Sequence, residues 1–320
     1  MNAASTIPLR TKVRSTFKLP PKKASRILKM QLSDKDLYLL SQCAISAALQ
    51  AGQAIANFQH DSLTVNTKQG GASYASQVVT EVDLLSQSII LKNLVPSCQI
   101  YDLALLTEES PDDGIRLEKD YFWCIDPLDG TLPFIEAISG YSVSIALVSR
   151  EGVPQLGIIY DPIEQTLYHA IKGKGAFRNG KPWQLSSSSK EQLPLTFISD
   201  RSFAKHPQYQ QILTQLENFA KAQGYSGLKT IQQGGAAMNA CWVLEKSPAC
   251  YFKFPSEKDG GGGLWDFSAS ACIFNEIKAV VSDIHGQALD LNRADSIFMN
   301  HHGVIYASDT VIAKFIRDLY

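Results

Sequence analysis

The stretch WCIDPLDGT, residues 123–131, decides how this chain is interpreted. Its first half is apolar and typical of a buried strand, and it runs directly into two aspartates, Asp126 and Asp129. D-P-x-D-G is also a common turn sequence, because proline pre-sets φ and glycine permits the chain to reverse. Taken alone, the stretch favours a structural turn, so its meaning depends on acidic residues elsewhere.

Three further acidic segments lie at predicted element ends. A strand-like run, IYDLALL, ends in TEES and places Glu108 and Glu109 at a strand end, where sites in α/β proteins form. Asp83 stands at a predicted helix start, and Asp266 lies in the first turn of the apolar helix in GGGGLWDFSASACIF, where a capping role is the alternative. Carboxylates gathered without basic partners require cations, and oxygen ligands without His or Cys favour magnesium.

Helical patterns come first along the body of the chain. Ser33 and Asp36 predict a capping box ahead of a helix whose apolar residues recur every three or four positions. A second helix is expected over about 81–94, with Val82, Leu85 and Ile89 facing inward. Further helices are expected near 207–222, 236–245 and 265–275.

Strand patterns dominate residues 121–170, which contain short runs rich in Val, Ile and aromatic residues. Asn179-Gly180 then predicts a tight hairpin at a sheet edge, since both residues tolerate positive φ. The segments AVVSDIHG and IFMNHHGVIYAS predict late strands, which would send His301 and His302 to opposite faces in structural roles.

These motifs, in this order, resemble those of the inositol monophosphatase superfamily. The matching segments are Thr80-Glu81-Val82-Asp83, Glu108-Glu109, DPLDGT at 126–131 and Trp265-Asp266. The resemblance runs from about residue 32 to 308 and includes GKGAFRNGKP and GGAAMN. It implies an α/β (α+β) fold, a layered α-β-α-β-α sandwich, and a magnesium-dependent phosphomonoesterase that forms a homodimer.

The resemblance also implies roles for individual residues, with two or three magnesium ions per site. Glu108, Asp126 and the Leu128 carbonyl would hold one ion, while Asp126, Asp129 and Asp266 would hold a second. Thr131 with Asp83 would orient and deprotonate the attacking water, and Glu108 is counted with them as catalytic. The substrate contacts would be Gly130, Thr131, Gly235, Ala236 and Lys253.

The substrate depends on flanking residues. Lys253, in CYFKFPSE, lies where inositol-specific members place an acidic residue and where bacterial-type 3′(2′),5′-bisphosphate nucleotidases place a basic one. A cation there suits a second phosphate, and DGTLPFIE and DSIFMNHHG are similar to the nucleotidase pattern. The alternatives are an inositol or sugar phosphatase, with Lys253 as a solvated strand residue. The glycines at 260–263 are interpreted as a surface insertion rather than a loop near the metal.

Composition limits the remaining classes. The net charge is −1, but residues 1–30 hold eight Lys or Arg and no acid. This segment is interpreted as a disordered basic extension over residues 1–31, as a transit peptide or as sequence upstream of a start at Met30. Two α/β halves, 32–188 and 189–320, are expected after it. We expect a cytoplasmic protein, or an organellar one if the transit peptide is real, with six reduced cysteines and no nucleic-acid polymer or membrane as partner.

Two other classes of function compete with the enzyme. A non-catalytic binding protein could retain this fold, although the intact Glu108, Asp126, Asp129, Thr131 and Asp266 argue against it. A calcium-binding structural protein would show a D-x-D-x-D-G loop, which the sequence lacks.

Overall fold

Two β-sheets separated by a layer of helices organise the chain. The computed structural model describes residues 30–58, 65–67, 78–185 and 193–320, with the backbone alone described at 65–67 and 78–80. Leu32–Tyr320 forms one compact unit. The predictions for the basic segment 1–29 and for the serine run at 186–189 lie outside the described residues, and the division into two halves stays a prediction.

The described residues contain seven α-helices and fourteen strands. The helices are α1 Asp34–Ala56, α2 Glu81–Tyr101, α3 Thr131–Ile135, α4 Tyr209–Ala222, α5 Ala236–Glu245, α6 Leu264–Ile277 and α7 Thr310–Leu319. The strands are β1 Val65–Thr67, β2 Val78–Thr80, β3 Ala104–Thr107, β4 Tyr121–Asp129, β5 Ser142–Ser149, β6 Pro154–Asp161, β7 Thr166–Ile171, β8 Gly175–Arg178, β9 Lys181–Pro182, β10 Leu195–Ile198, β11 Leu228–Ile231, β12 Ala249–Lys253, β13 Val280–Ser282 and β14 Val304–Ala307.

Twelve of the strands form a seven-stranded sheet in the order β3-β4-β5-β6-β7-β8-β9 and a five-stranded sheet in the order β11-β10-β12-β14-β13, while β1 and β2 pair with each other as an antiparallel ribbon. Helices α1 and α2 cover the outer face of the larger sheet, and α5 and α6 lie between the two sheets. Helices α4 and α7 cover the outer face of the smaller sheet. The α-β-α-β-α sandwich expected from the sequence is confirmed.

The central helices are apolar on all sides because both of their faces are covered. Of the eleven side chains of α6 from Leu264 to Phe274, all but Asp266 are buried. Strands β4 and β5 are likewise buried along almost their whole length, as expected for strands covered on both faces. The largest core cluster therefore joins the two sheets through α5 and α6.

Several local predictions are confirmed. Ser33 and Asp36 form the capping box of α1, with Ser33 N–H donating to Asp36 Oδ2 at 2.9 Å. Asn179 and Gly180 have φ values of 49° and 74° and join β8 to β9 at the edge of the larger sheet.

None of the helices in the described ranges is long and apolar enough to span a membrane.

Other local predictions are wrong, each for a packing reason. In α2, Leu85 is exposed, because the buried face follows Asp83, Ser86 and Ile90 instead. His301 and His302 lie in a turn before β14 rather than in a strand, and their rings stack at 4.0 Å instead of pointing apart. By contrast, the six cysteines are free, and four of them, Cys124, Cys241, Cys250 and Cys272, are buried.

Candidate active site

A bulge in β4 brings two aspartates to one place. Asp126 pairs with Ser144 of β5 and Asp129 pairs with Ser142, so β4 has one more residue than β5 between these two pairs. Residues three apart in a regular strand point to opposite faces, and one extra residue restores them to the same side. Both carboxylates are buried, with 1% and 4% of their surface exposed.

Helix α6 supplies the third carboxylate through a glycine turn. Gly260, Gly261 and Gly262 have backbone φ values of 133°, 73° and 97°, which residues with a Cβ rarely adopt. A Cβ at Gly262 would lie 2.8 Å from an Asp266 oxygen, and the Gly263 amide donates a short hydrogen bond to that same carboxylate. The expectation of a surface insertion is wrong, because these glycines let the chain wrap around Asp266.

Asp126, Asp129 and Asp266 form a carboxylate cluster in which one oxygen of each lies within 4.8 Å of the others. Burial raises the pKa of Asp129, and the nearby Glu108 charge raises it further. Burial also raises the pKa of Asp266, with the Asp129 charge adding to the effect. Two buried carboxylates and one partly buried carboxylate, whose negative charges repel one another, are a set that a hard divalent cation would stabilise. The cluster therefore fits magnesium.

Glu108 stands beside this cluster at the end of β3. Strands β3 and β4 are parallel, and the Glu108 amide donates to the Ile125 carbonyl at 3.1 Å, next to Asp126. Its charge acts on both Asp129 and Asp266. The four predicted metal carboxylates therefore come from the ends of two neighbouring strands, β3 and β4, and from the first turn of α6.

The N-terminus of α5 is fixed to Asp129. The Ala236 and Ala237 amides donate to the two Asp129 oxygens at 2.9 and 2.8 Å. A Cβ at Gly235 would lie 2.5 Å from both of those oxygens, so only glycine allows this approach. Two of the predicted substrate residues, Gly235 and Ala236, therefore contact a predicted metal ligand.

Thr131 and Asp83 meet as predicted. Thr131 Oγ1 lies 3.3 Å from Asp83 Oδ1 and 3.4 Å from the Leu128 carbonyl oxygen. One helical turn after Asp83, Ser86 Oγ donates to the Pro127 carbonyl at 2.6 Å and anchors α2 to the aspartate segment. Gly130, with φ of 88°, makes the turn into α3 that places Thr131 there.

Lys253 lies at the end of β12, where 18% of its side chain is exposed, so the interpretation as a solvated residue is wrong. Its Nζ forms an ion pair with Asp200 Oδ2 at 2.7 Å and donates to the Gly261 carbonyl at 2.9 Å. Burial lowers the pKa of Lys253, but the charges of Asp200 and Asp266 outweigh this and raise it, so the ammonium is retained.

Asp200 was missed by the sequence reasoning. It follows β10, and no motif or acidic neighbour marks it in the sequence. The available signal was its position just after an apolar strand, the same feature that drew attention to Glu108.

A layered sandwich that gathers three carboxylates within 4.8 Å of one another is an α/β architecture suited to divalent cations. The chain belongs to the inositol monophosphatase family, whose model matches residues 36–317. It is 30% identical to inositol monophosphatase 2 of Homo sapiens over 258 residues, 78% of this chain and 82% of that protein. It is also 30% identical over 244 residues to Nus factor SuhB of Escherichia coli K12, covering 76% of this chain and 84% of that one.

Solved structures show the same fold. The native crystal structure of extragenic suppressor protein suhB from Bartonella henselae superposes with a TM-score of 0.67 at 24% identity, covering 88% of this chain and 98% of that one. Members of the inositol monophosphatase family hydrolyse phosphoric monoesters and use Mg²⁺. The chain is therefore a phosphoric monoester hydrolase of a magnesium-dependent family that acts on small phosphorylated substrates.

Proposed function

We propose that this chain releases the 3′-phosphate of adenosine 3′,5′-bisphosphate at the carboxylate cluster. The choice of a substrate with two phosphate groups rests on Lys253. Its largely enclosed ammonium is close enough to Asp129 and Asp266 to be influenced by their charges. A second phosphate offers three strongly accepting oxygens, and an ammonium is a common partner for it. Inositol 1-phosphate is the second candidate, and the 30% identity to human inositol monophosphatase 2 favours it.

The residues present would divide the work between holding cations and preparing water. Glu108, Asp126 and the Leu128 carbonyl would hold one magnesium, and Asp126, Asp129 and Asp266 a second. When bound, the ions would neutralise phosphate oxygens, acidify a water and stabilise the leaving alkoxide. The buried position of the cluster keeps these charges in a medium where each acts strongly.

Asp83 and Thr131 would prepare the attacking water. Since the Thr131 hydroxyl donates to Asp83, its oxygen is left to accept a hydrogen bond from water. The proton that the water loses would pass to Thr131 as Thr131 gives its own proton to Asp83, so the carboxylate is the final base. The Gly130 and Thr131 amides would receive the phosphate oxygens, and Glu108 would complete the catalytic set.

Phosphate release from adenosine 3′,5′-bisphosphate and from inositol 1-phosphate, measured side by side with and without magnesium, tests this function. We expect magnesium-dependent release with preference for the nucleotide. Preference for inositol phosphate would replace the first candidate by the second, and absence of release from both would exclude both candidates and favour another phosphate ester or a non-catalytic protein. Lithium should inhibit by competing at the second cation site, and an unchanged rate in lithium would contradict that part of the proposal.

A further inference from the structure

Asp200 holds Lys253 in a fixed arrangement. Its Oδ2 pairs with Lys253 Nζ at 2.7 Å, while its Oδ1 accepts hydrogen bonds from Tyr251 Oη at 3.0 Å and from Asn239 Nδ2 at 3.2 Å. Tyr251 and Asn239 are both fully buried. The Asp200 carboxylate is thus positioned by two rigid donors, and its second oxygen is directed at the ammonium.

Lys253 is fixed on its other sides as well. Its Nζ donates to the Gly261 carbonyl at 2.9 Å and lies 5.3 Å from the centre of the Phe267 ring. Gly261 belongs to the turn that wraps Asp266, and Phe267 follows Asp266 in α6. The ammonium therefore stays beside the carboxylate cluster and cannot swing away into solvent without breaking three contacts.

The Asp200–Lys253 pair lies beside the carboxylate cluster at which the proposed function places the phosphate. Asn239 belongs to α5, whose first amides hold Asp129, and Lys253 responds to the charges of both Asp129 and Asp266. A substrate group that reaches Lys253 therefore also lies near Asp200. Any anion bound by the Lys253 ammonium would be attracted by that ammonium and repelled by the Asp200 carboxylate, which lies a few ångströms away.

We propose that Asp200 is a specificity-determining residue: it competes with a second anionic group of the substrate for the Lys253 ammonium. This inference rests on the proposed function, because it concerns the same site and a nucleotide with two phosphates. Lys253 alone would favour a second phosphate strongly, and Asp200 moderates that preference, so that substrates with one phosphate are still accepted. The negative charge of Asp200 sets the preference between substrates with two phosphates and substrates with one.

The test compares two nucleotides that share the cleavable 3′-phosphate and differ only in the 5′-phosphate, adenosine 3′,5′-bisphosphate and adenosine 3′-monophosphate. Asp200→Asn keeps the size of the side chain and an acceptor for Tyr251 while removing the charge. We expect the ratio of kcat/KM for the bisphosphate over the monophosphate to rise about tenfold, as for the loss of one like charge at a partly exposed site. The same ratio of affinities, measured by calorimetry with magnesium present, should rise in parallel.

A second substitution separates this role from a structural one. Lys253→Met removes the ammonium but retains the length of the side chain. In this background Asp200→Asn should raise the ratio less than it does in the native chain, because competition for the ammonium is gone and only the direct repulsion by the carboxylate is removed. A variant that merely disturbs packing would lower turnover of both nucleotides and leave their ratio where it was. The inference is overturned if Asp200→Asn leaves the ratio unchanged or if the rise is undiminished in the double variant.

The two proposals fail in different ways. If the unmodified chain releases no phosphate from any substrate, the proposed function fails, while the calorimetric ratio still decides the role of Asp200. If the chain turns over both nucleotides but Asp200→Asn does not change their ratio, the function stands and the role of Asp200 is refuted. Failure of the chain to bind either nucleotide with magnesium present would overturn both.

Discussion

Gly235→Ala should disable the site without altering a single charged group. The new methyl carbon would lie 2.5 Å from both Asp129 oxygens, whereas non-bonded atoms are comfortable at about 3.5 Å. Because Asp129 is fixed by the Ala236 and Ala237 amides, the carboxylate or the start of α5 must move by about 1 Å. A displacement of that size in a catalytic arrangement costs roughly 100-fold in rate.

The assay is kcat/KM for phosphate release over a series of magnesium concentrations. We expect a fall of about 100-fold at moderate magnesium, together with a higher magnesium concentration for half-maximal rate, because Asp129 is a proposed metal ligand. Gly173→Ala is the matched control: its φ is 74° and nothing lies within 4 Å of the added carbon. That variant should lose about 1 kcal/mol of stability to backbone strain and keep its magnesium response. Wild-type kcat/KM in Gly235→Ala would refute the reasoning.

Three further predictions concern charge and burial. Asp126→Asn should lower kcat/KM by at least about 100-fold, since it removes a charge proposed to be shared by both cations, while circular dichroism should show an intact fold. Wild-type turnover in this variant would contradict the prediction. The control is Glu118→Gln, which removes the charge of an exposed carboxylate. Magnesium at about 100 times its dissociation constant should add about 2.7 kcal/mol to the unfolding free energy, and an unchanged melting temperature would exclude binding to the native state. Arg116→Met should lower the free energy of unfolding, measured in urea, by about 3 kcal/mol. The reason is that the Arg116 side chain is only 2% exposed and forms an ion pair with Asp112 at 2.8 Å. A loss near zero would show that this ion pair does not stabilise the fold.

The order of the elements and most of their bounds could be predicted because local signals were strong. The capping box at Ser33, the Asn179-Gly180 turn and the apolar run of β4 each depend on residues close together in sequence. The predicted carboxylates also meet, since strand ends and helix starts are places that a pattern can locate. Magnesium as the cofactor is confirmed for the family.

What the sequence could not show depends on contacts between distant segments. Leu85 has an apolar side chain, yet α2 turns Asp83 and Ser86 inward because Ser86 bonds the Pro127 carbonyl 41 positions away. The Asp200 to Lys253 pair likewise joins two strands that lie 53 positions apart and meet only in the folded sheet. Periodicity predicts which face of a helix is apolar, but the partner that each polar side chain finds is a property of tertiary structure.

Glycine explains why a cluster of like charges can be held in a close-packed layer. At Gly235 the backbone of α5 approaches the Asp129 carboxylate more closely than any side chain would permit, and at Gly262 the chain passes within contact of Asp266. Both approaches bring backbone amides to the carboxylates, and those amides lower the pKa that burial raises. The amides compensate only part of the buried charge, because the pKa values of Asp129 and Asp266 remain raised. The remainder is the charge that a divalent cation would neutralise, so the same glycines that make the fold possible also keep the site ready to bind one.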